Sequence, residues 1–197
     1  MAVKKINNEM IIIGVAGLAQ AGKDTFFDLV ATNPIADLPY VKLSFADEVK
    51  EDLDAFVKSK FGFSAFTEVQ EEKEIIRPLL VAWGTHVMRA QDEDHWIKKL
   101  STKLKHNTIN IITDARYPNE CSWIKKHLKG RVIYLSRDDV KPPNEEEAKN
   151  DPIIKQMANK TLHWETFIKK DELKNAYGTI CNSILEGFFE EFFLKST

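Results

Sequence analysis

The sequence predicts an α/β fold with a five-stranded parallel sheet and helices on both of its faces. Short apolar segments rich in β-branched residues alternate five times with segments whose apolar residues recur at helical spacing. The first strand runs into a glycine-rich turn and then a helix. With 197 residues, 43% apolar and 29% charged, the composition is that of an ordinary globular chain that forms one domain.

The first strand and the turn after it carry the main motif. Residues 10–16, M-I-I-I-G-V-A, suit a strand that is buried on both faces, and residues 17–25 read G-L-A-Q-A-G-K-D-T. Gly17, Gly22 and Lys23 match the first seven positions of the P-loop pattern G-x-x-x-x-G-K-[ST]. The glycines let backbone N–H groups point at phosphate oxygens, and the lysine supplies a flexible positive charge. We therefore expect the three-layer fold of P-loop NTPases.

The loop is predicted to hold ATP and Mg²⁺. Its predicted nucleotide-binding residues are Gly17, Ala19, Gln20, Ala21, Gly22, Lys23, Asp24 and Thr25. The eighth position departs from the pattern, because Asp24 stands where a Ser or Thr hydroxyl ordinarily binds the metal. Either Asp24 approaches Mg²⁺, directly or through water, or Thr25 replaces the usual hydroxyl.

The remaining elements follow from apolar spacing and helix-boundary signals. Further strands are predicted at residues 40–45, 108–113, 131–135 and 177–181. Helices are predicted at residues 23–31, 46–57, 71–91 with interruptions at Pro78 and Gly84, 95–104, 119–128 and 184–194, the last capped by Ser183. The last part of residues 138–151, together with residues 153–162, is also expected to be helical.

Charged residues near strand ends are candidates for a second ligand, because ligands of α/β sheets bind at the carboxyl ends of strands. Asp47 and Lys50 follow the second strand, although they could equally be a helix cap and a solvated lysine. An apolar strand ending in Asp114 resembles the acidic element that holds Mg²⁺ in P-loop proteins, and Arg116 would lie at the same sheet edge. Arg77 lies in an unusually apolar segment, as does Arg89, and arginine suits bidentate phosphate contact or a snorkelling surface position.

The polar segment 138–151 contains Pro142, Pro143 and three consecutive glutamates, and it is predicted to be a mobile excursion. It lies where nucleotide kinases carry a lid, although a solvated loop is the alternative. The lid-like segment extends to about residue 165 and includes His163-Trp164-Glu165, a polar-aromatic cluster of unassigned role.

Charge and cysteine usage exclude several classes of function. The net charge of −2 gives no general electrostatic reason to bind a nucleic acid polymer or an anionic membrane, and no apolar run approaches a membrane span. Cys121 and Cys181 lie far apart without a C-x-x-C, and the five histidines show no ligand spacing. We therefore expect a cytoplasmic protein with reduced thiols.

Several motifs occur together and in order: G-L-A-Q-A-G-K-D-T, S-F-A-D-E-V-K, I-I-R-P-L-L-V-A-W-G-T-H-V-M-R, D-E-D-H-W-I, I-I-T-D-A-R-Y-P-N-E and V-I-Y-L-S-R. Together they resemble the bacteriophage deoxynucleoside monophosphate kinases. The resemblance covers residues 10–137 and is weaker over the C-terminal third. The G-K-D-T variant of the P-loop is part of the resemblance. Animal-type phosphomevalonate kinases also use a G-K-D loop and are the nearest rival.

The resemblance implies transfer of the ATP γ-phosphate to a deoxynucleoside monophosphate (dNMP), giving the diphosphate, in the host cytoplasm and in a possible homodimer. It implies catalytic roles for Lys23, Arg116 and Arg137, and an NMP-binding helical region at about residues 46–105. The implied substrate-binding residues are Asp47, Lys50, Arg77, Trp83, Arg89 and Asp114. Arg137 would reach in from the base of the lid, whose predicted excursion otherwise carries only Lys141 and Lys149 as cations.

Two other functions stay open at this point. The first is a kinase whose acceptor is a small phosphorylated metabolite. The second is a nucleotide-binding regulatory or assembly module without phosphotransfer. The preferred base and the discrimination between ribose and deoxyribose do not follow from the sequence.

Overall fold

The computed structural model describes residues 10–32, 34, 37–165 and 170–194. The chain divides into two compact units. Leu43–Leu104 form a helical unit, and the described residues before and after this range form a sheet unit that contains the P-loop.

Strands and helices alternate at the start of the chain, and several helices follow one another between the second and third strands. The strands are β1 (Met10–Ala16), β2 (Tyr40–Leu43), β3 (Thr108–Ala115), β4 (Arg131–Arg137) and β5 (Lys160–Trp164). The α-helices are α1 (Lys23–Thr32), α2 (Phe45–Phe61), α3 (Gln70–Val81), α4 (His95–Ser101), α5 (Pro118–Ser122), α6 (Glu145–Met157) and α7 (Lys170–Leu194). Ala82–Arg89 and Trp123–His127 continue α3 and α5 as π-helical turns.

The strands form one five-stranded sheet in the order β2-β3-β1-β4-β5. β1 pairs in parallel with β3, where Ile13 lies opposite Ile111, and with β4, where Val15 lies opposite Ile133. β4 also pairs in parallel with β5. The predicted five-stranded parallel sheet is therefore confirmed.

Alternate residues of β1 pack against helices on opposite faces of the sheet. Ile13 is fully buried in a cluster with Phe26 of α1 and Phe188 of α7. On the other face, a Cβ placed on Gly14 would lie 2.6 Å from Cδ1 of Ile124, which follows α5. The uninterrupted apolar run of β1 is explained by this burial on both sides.

The helical unit has a small core of its own. Leu53, Val57, Ala65 and Ile76 are buried together. The indole N–H of Trp96 donates a 2.9 Å hydrogen bond to the carbonyl of Gly84 inside the π-helical turn. Pro78 lies within α3, and the helix changes to π geometry four residues later, at the start of Ala82–Arg89. The predicted interruption of this helix is thus confirmed.

The predicted fifth strand, residues 177–181, is wrong, because these residues lie inside α7. Cys181, Leu185 and Phe188 belong to the main core cluster and the partly buried Tyr177 packs against it, and their spacing places all four on one face of a helix. The β-prone residues Tyr, Thr and Ile in this stretch suggested a strand, but burial along the helical stripe prevails. Ser183 likewise lies within α7 and is not a helix cap.

The true fifth strand is β5, which the sequence left divided between a partly helical segment and the cluster of residues 163–165. The helix expected from the last part of the excursion onwards is confirmed as α6, which begins at Glu145, although residues 160–162 lie in β5. The first turn of α6 is fixed by Asn144, whose side-chain oxygen accepts a 2.8 Å hydrogen bond from the Glu147 N–H.

In the part of the chain that the structure describes, no helix combines the length and the apolar character needed to cross a membrane.

Candidate phosphate-binding site

The P-loop connects β1 to α1 at the carboxyl edge of the sheet. Its backbone takes positive φ at three positions, Gly17 (133°), Gln20 (65°) and Gly22 (89°). The loop is closed by hydrogen bonds from the Ala21 N–H to the Leu18 carbonyl and from the Phe26 N–H to the Gly22 carbonyl. Gln20 is an uncommon left-handed non-glycine residue, which the sequence pattern did not predict.

Both motif glycines are required by space as well as by conformation. A Cβ on Gly17 would lie 2.2 Å from the carbonyl oxygen of Leu135 in β4. A Cβ on Gly22 would lie 2.7 Å from Cζ2 of Trp164 in β5. The loop is therefore held tightly against the ends of two neighbouring strands.

Trp164 is one residue of this site whose role the sequence did not predict. Its side chain is fully buried, and its indole N–H donates a 2.7 Å hydrogen bond to the carbonyl of Ala21 in the P-loop. The ring also covers Gly22. Had the strand been recognised at Lys160–Trp164, a large aromatic residue at its carboxyl end would have indicated contact with the loop.

Lys23, the first residue of α1, is almost fully buried, with 7% of its surface exposed. Its ammonium group donates hydrogen bonds to the carbonyls of Gly17 (2.8 Å) and Leu18 (2.6 Å). Burial and the nearby positive charge of Arg116 lower the pKa of Lys23 to about 8, although Asp114, Glu147 and Asp24 oppose this shift. A buried ammonium of this kind gains strongly from an anion that comes close to it.

The carboxylate of Glu147, in the first turn of α6, contacts both Arg116 and the P-loop. Nη1 of Arg116 lies 2.9 Å from Oε1 of Glu147, and Oε2 of Glu147 accepts a 3.0 Å hydrogen bond from the Ala19 N–H. Glu120, which is buried, accepts the backbone N–H groups of Arg116 (2.8 Å) and Tyr117 (3.1 Å). Neither glutamate was predicted, and Glu147 was regarded only as part of a polar excursion.

Arg137 and Asp114 lie at the ends of strands beside the loop. Arg137 closes β4 and lies opposite Trp164 in the strand register. Within the described part of the chain, its buried Nε has no hydrogen-bond partner. Asp114 is the second-last residue of β3, and its charge acts on Lys23. The charges of Asp114 and Arg116 thus both act on Lys23.

The predicted metal ligands, Asp24 and Thr25, lie in the first turn of α1. Asp24 is exposed, and its carboxylate lies 2.6 Å from the ammonium of Lys42 in β2. This carboxylate therefore already attracts a cation. Among the described residues there is no group of three or more His, Cys, Asp or Glu side chains that could hold a metal by itself. One exposed carboxylate beside the loop suits Mg²⁺, which keeps several waters and is held by one or two protein groups together with phosphate oxygens.

The other predicted substrate residues belong to the helical unit. Asp47 and Lys50 form a 3.0 Å ion pair in the first turns of α2. The indole N–H of Trp83 lies 3.3 Å from Oδ2 of Asp52. Arg77 is exposed on α3, whereas Arg89 is half-buried at the end of the π-helical turn. Their roles in binding an acceptor stay predictions.

Several solved structures are similar to this chain. A shikimate kinase from Bacteroides thetaiotaomicron matches with a TM-score of 0.51 and 14% identity, over 90% of this chain and 99% of that one. The chain has the fold of P-loop kinases. TT1252 from Thermus thermophilus (TM-score 0.44, 14% identity, 88% of this chain and 98% of that one) is more distant. A Janibacter sugar kinase (TM-score 0.34, 11% identity, 86% and 93%) is more distant still.

No protein-family model matches the sequence, and no curated protein matches it either.

Proposed function

We propose that this protein is a deoxynucleoside monophosphate kinase that transfers the γ-phosphate of ATP to a dNMP. The observation that carries the proposal is the buried ammonium of Lys23 inside a G-x-x-x-x-G-K loop, with Arg116 beside it. A P-loop with this lysine is a polyphosphate site, because loop N–H groups and one cation converge on the same anion. The kinase fold supports the same class of reaction.

Phosphoryl transfer requires alignment and charge neutralisation more than a strong base, since the attacking phosphate is already anionic. The bond from the γ-phosphorus to the β–γ bridging oxygen breaks, a bond to an acceptor phosphate oxygen forms, and ADP leaves. Lys23 and Arg116 would neutralise negative charge on the transferred group. Arg137 has a buried, unpartnered N–H among the described residues and would add a third cation.

Mg²⁺ would be held by Asp24 or Thr25 together with the nucleotide phosphates. When bound, the metal neutralises charge on the β- and γ-phosphates. Because the carboxylate of Asp24 pairs with Lys42, the metal would have to compete with that ammonium or share the carboxylate with it.

The acceptor would be a dNMP held by residues of the helical unit, and the support for this is the resemblance of the motifs around Asp47, Arg77 and Arg89. An indole such as that of Trp83, half-buried at the core of the helical unit, suits contact with a nucleobase. Residues 46–105 as the NMP-binding region and the homodimer both stay predictions. Light scattering of the purified protein tests the dimer.

The second candidate is a kinase for a small phosphorylated metabolite, of the phosphomevalonate kinase type. Its support is that the matching fold is that of a shikimate kinase, which is named for an acceptor that is not a nucleotide. The third, a nucleotide-binding module without phosphotransfer, does not account for the cluster of Lys23, Arg116 and Asp114 at one edge of the sheet.

A coupled ADP-release assay with ATP and Mg²⁺ distinguishes these candidates. The acceptors offered are dAMP, dGMP, dCMP and dTMP, with the four ribonucleotides and phosphomevalonate as controls. We expect release that depends on a deoxynucleotide. Release with phosphomevalonate alone would move the assignment to the metabolite kinase, and ATP binding without release for any acceptor would favour the non-catalytic module.

A further inference from the structure

A carboxylate of the chain itself occupies part of the P-loop's anion-binding surface. Oε2 of Glu147 accepts the Ala19 N–H at 3.0 Å, and Oε1 lies 2.9 Å from Nη1 of Arg116. Only 12% of the Glu147 side chain is exposed. A loop N–H and an arginine are the two kinds of donor that a P-loop site offers to a phosphate group.

Helix capping does not explain the position of Glu147. Three glutamates occupy the first turn of α6, and each complements the helix dipole. Glu145 and Glu146 are exposed to solvent, as expected for that role, whereas Glu147 turns inward onto the loop. The bond from its own N–H to Asn144 fixes the backbone at this point, so the inward direction is set by the first turn of the helix.

We propose that Glu147 is an intramolecular competitor of the nucleotide phosphates, which latches α6 onto the P-loop until a polyphosphate displaces it. The inference rests on the proposed function, since it needs the loop to bind phosphate. A carboxylate and a phosphate cannot use the Ala19 N–H and the Arg116 guanidinium together, because like charges at hydrogen-bonding distance repel strongly in a partly buried site. Nucleotide binding is then coupled to release of the first turn of α6 from the loop.

The latch has a quantitative consequence. The apparent dissociation constant of a ligand is its intrinsic value divided by the fraction of protein in the binding-competent state. If the latched state outnumbers the open state by about ten to one, removing the latch tightens binding about tenfold.

The test is an isothermal titration of ADP into the full chain at fixed Mg²⁺. Glu147→Gln keeps the shape of the side chain and removes its charge, and Glu147→Ala removes both acceptor oxygens. Glu146→Gln is the matched control, because it removes the same charge from the same helical turn at an exposed position. We expect both Glu147 variants to bind ADP about tenfold more tightly than the wild type, and Glu146→Gln to bind like the wild type.

ADP binding at equal or lower affinity in the Glu147 variants would overturn the inference and leave the proposed function standing. Absence of ADP binding in every protein would reject the proposed function and the latch together.

Hydrogen exchange provides a second, independent measurement. ADP should increase amide exchange in the first turns of α6, residues 145–150, of the wild type, because Glu147 leaves the loop, while Glu147→Ala should show the higher exchange already without ADP. Unchanged exchange in the wild type at saturating ADP would contradict a latch that opens on binding.

Discussion

Lys23 is the residue on which the phosphate site depends most. Its ammonium is buried and bonds two carbonyls of its own loop, so an approaching phosphate finds a positive charge that is already oriented. Lys23→Ala should reduce turnover to background, because no other described cation lies inside the loop. Circular dichroism checks that the variant is folded. A near-normal rate in the folded variant would remove Lys23 from the mechanism.

The lowered pKa of Lys23, about 8, predicts a pH dependence of nucleotide binding. A bound phosphate favours the protonated amine, so binding weakens as pH rises and the free protein loses this proton. ADP affinity measured by titration calorimetry should therefore fall as the pH rises from about 7.5 to about 9.5. Lys23→Met is the control and should lack this fall; a wild-type affinity that stays flat over the same range would disprove the assignment.

Alanine substitutions of Arg116 and Arg137 should slow turnover without abolishing it, unlike the substitution of Lys23. If both act mainly on charge that develops during transfer, Arg116→Ala and Arg137→Ala lower kcat more than they raise KM for ATP. Steady-state kinetics with the acceptor identified in the release assay measures both constants. Arg131→Ala is a suitable control, because Arg131 pairs with Glu191 at the other end of β4. A normal kcat in either variant would reject the role given to that arginine.

At the scale of elements, the junction of the P-loop with β4 and β5 is the most tightly packed part of the site. Gly17→Ala places a methyl group 2.2 Å from a backbone oxygen and also forces a positive φ on alanine. We expect it to lower the free energy of unfolding by about 2 kcal/mol or more. Gly187→Ala is the matched control: it lies inside α7 with open space around it and should raise that free energy by about 0.5–1 kcal/mol. Urea unfolding measures both changes, and equal effects of the two substitutions would contradict this packing.

Trp164 joins β5 to the loop by packing and by one hydrogen bond. Trp164→Ala should lower the free energy of unfolding by about 3–5 kcal/mol, whereas Trp164→Phe, which keeps a ring and loses the bond to Ala21, should cost about 1 kcal/mol. Thermal or urea unfolding separates the two. A cost for Trp164→Ala as small as that for Trp164→Phe would show that the ring contributes little.

The elements of the N-terminal half were predictable because each signal was local. β1, the loop and α1 follow from an apolar β-branched run, two glycines and helical spacing, and Asp114 and Arg116 follow from the carboxyl end of β3. The fifth strand was predicted at residues 177–181, which lie in α7, and not at β5, because the local sequence preferences of both segments conflict with tertiary packing. The buried stripe of α7 overrides the β-propensity of residues 177–181, and β5 is a short strand whose residues alternate between exposed and buried.

The parts of the site that could not be predicted depend on contacts between residues far apart in sequence. Glu147 lies 128 positions from Ala19, and Trp164 lies 143 positions from Ala21. No periodicity or spacing records such contacts, because they arise only when α6 and β5 are placed against the loop. The sequence therefore indicated the cations of the site and not the carboxylate that opposes them.

For the whole molecule, the proposed reaction passes the γ-phosphate of ATP to a nucleotide acceptor and not to water. The most direct measurement uses ATP labelled at the γ-phosphate, with Mg²⁺ and each dNMP in turn, and separates the products by chromatography. We predict that the label appears in a deoxynucleoside diphosphate with the wild type and that this product is absent with Lys23→Ala. Label that appears only in inorganic phosphate, or that stays in ATP with every dNMP, would contradict the proposed transfer.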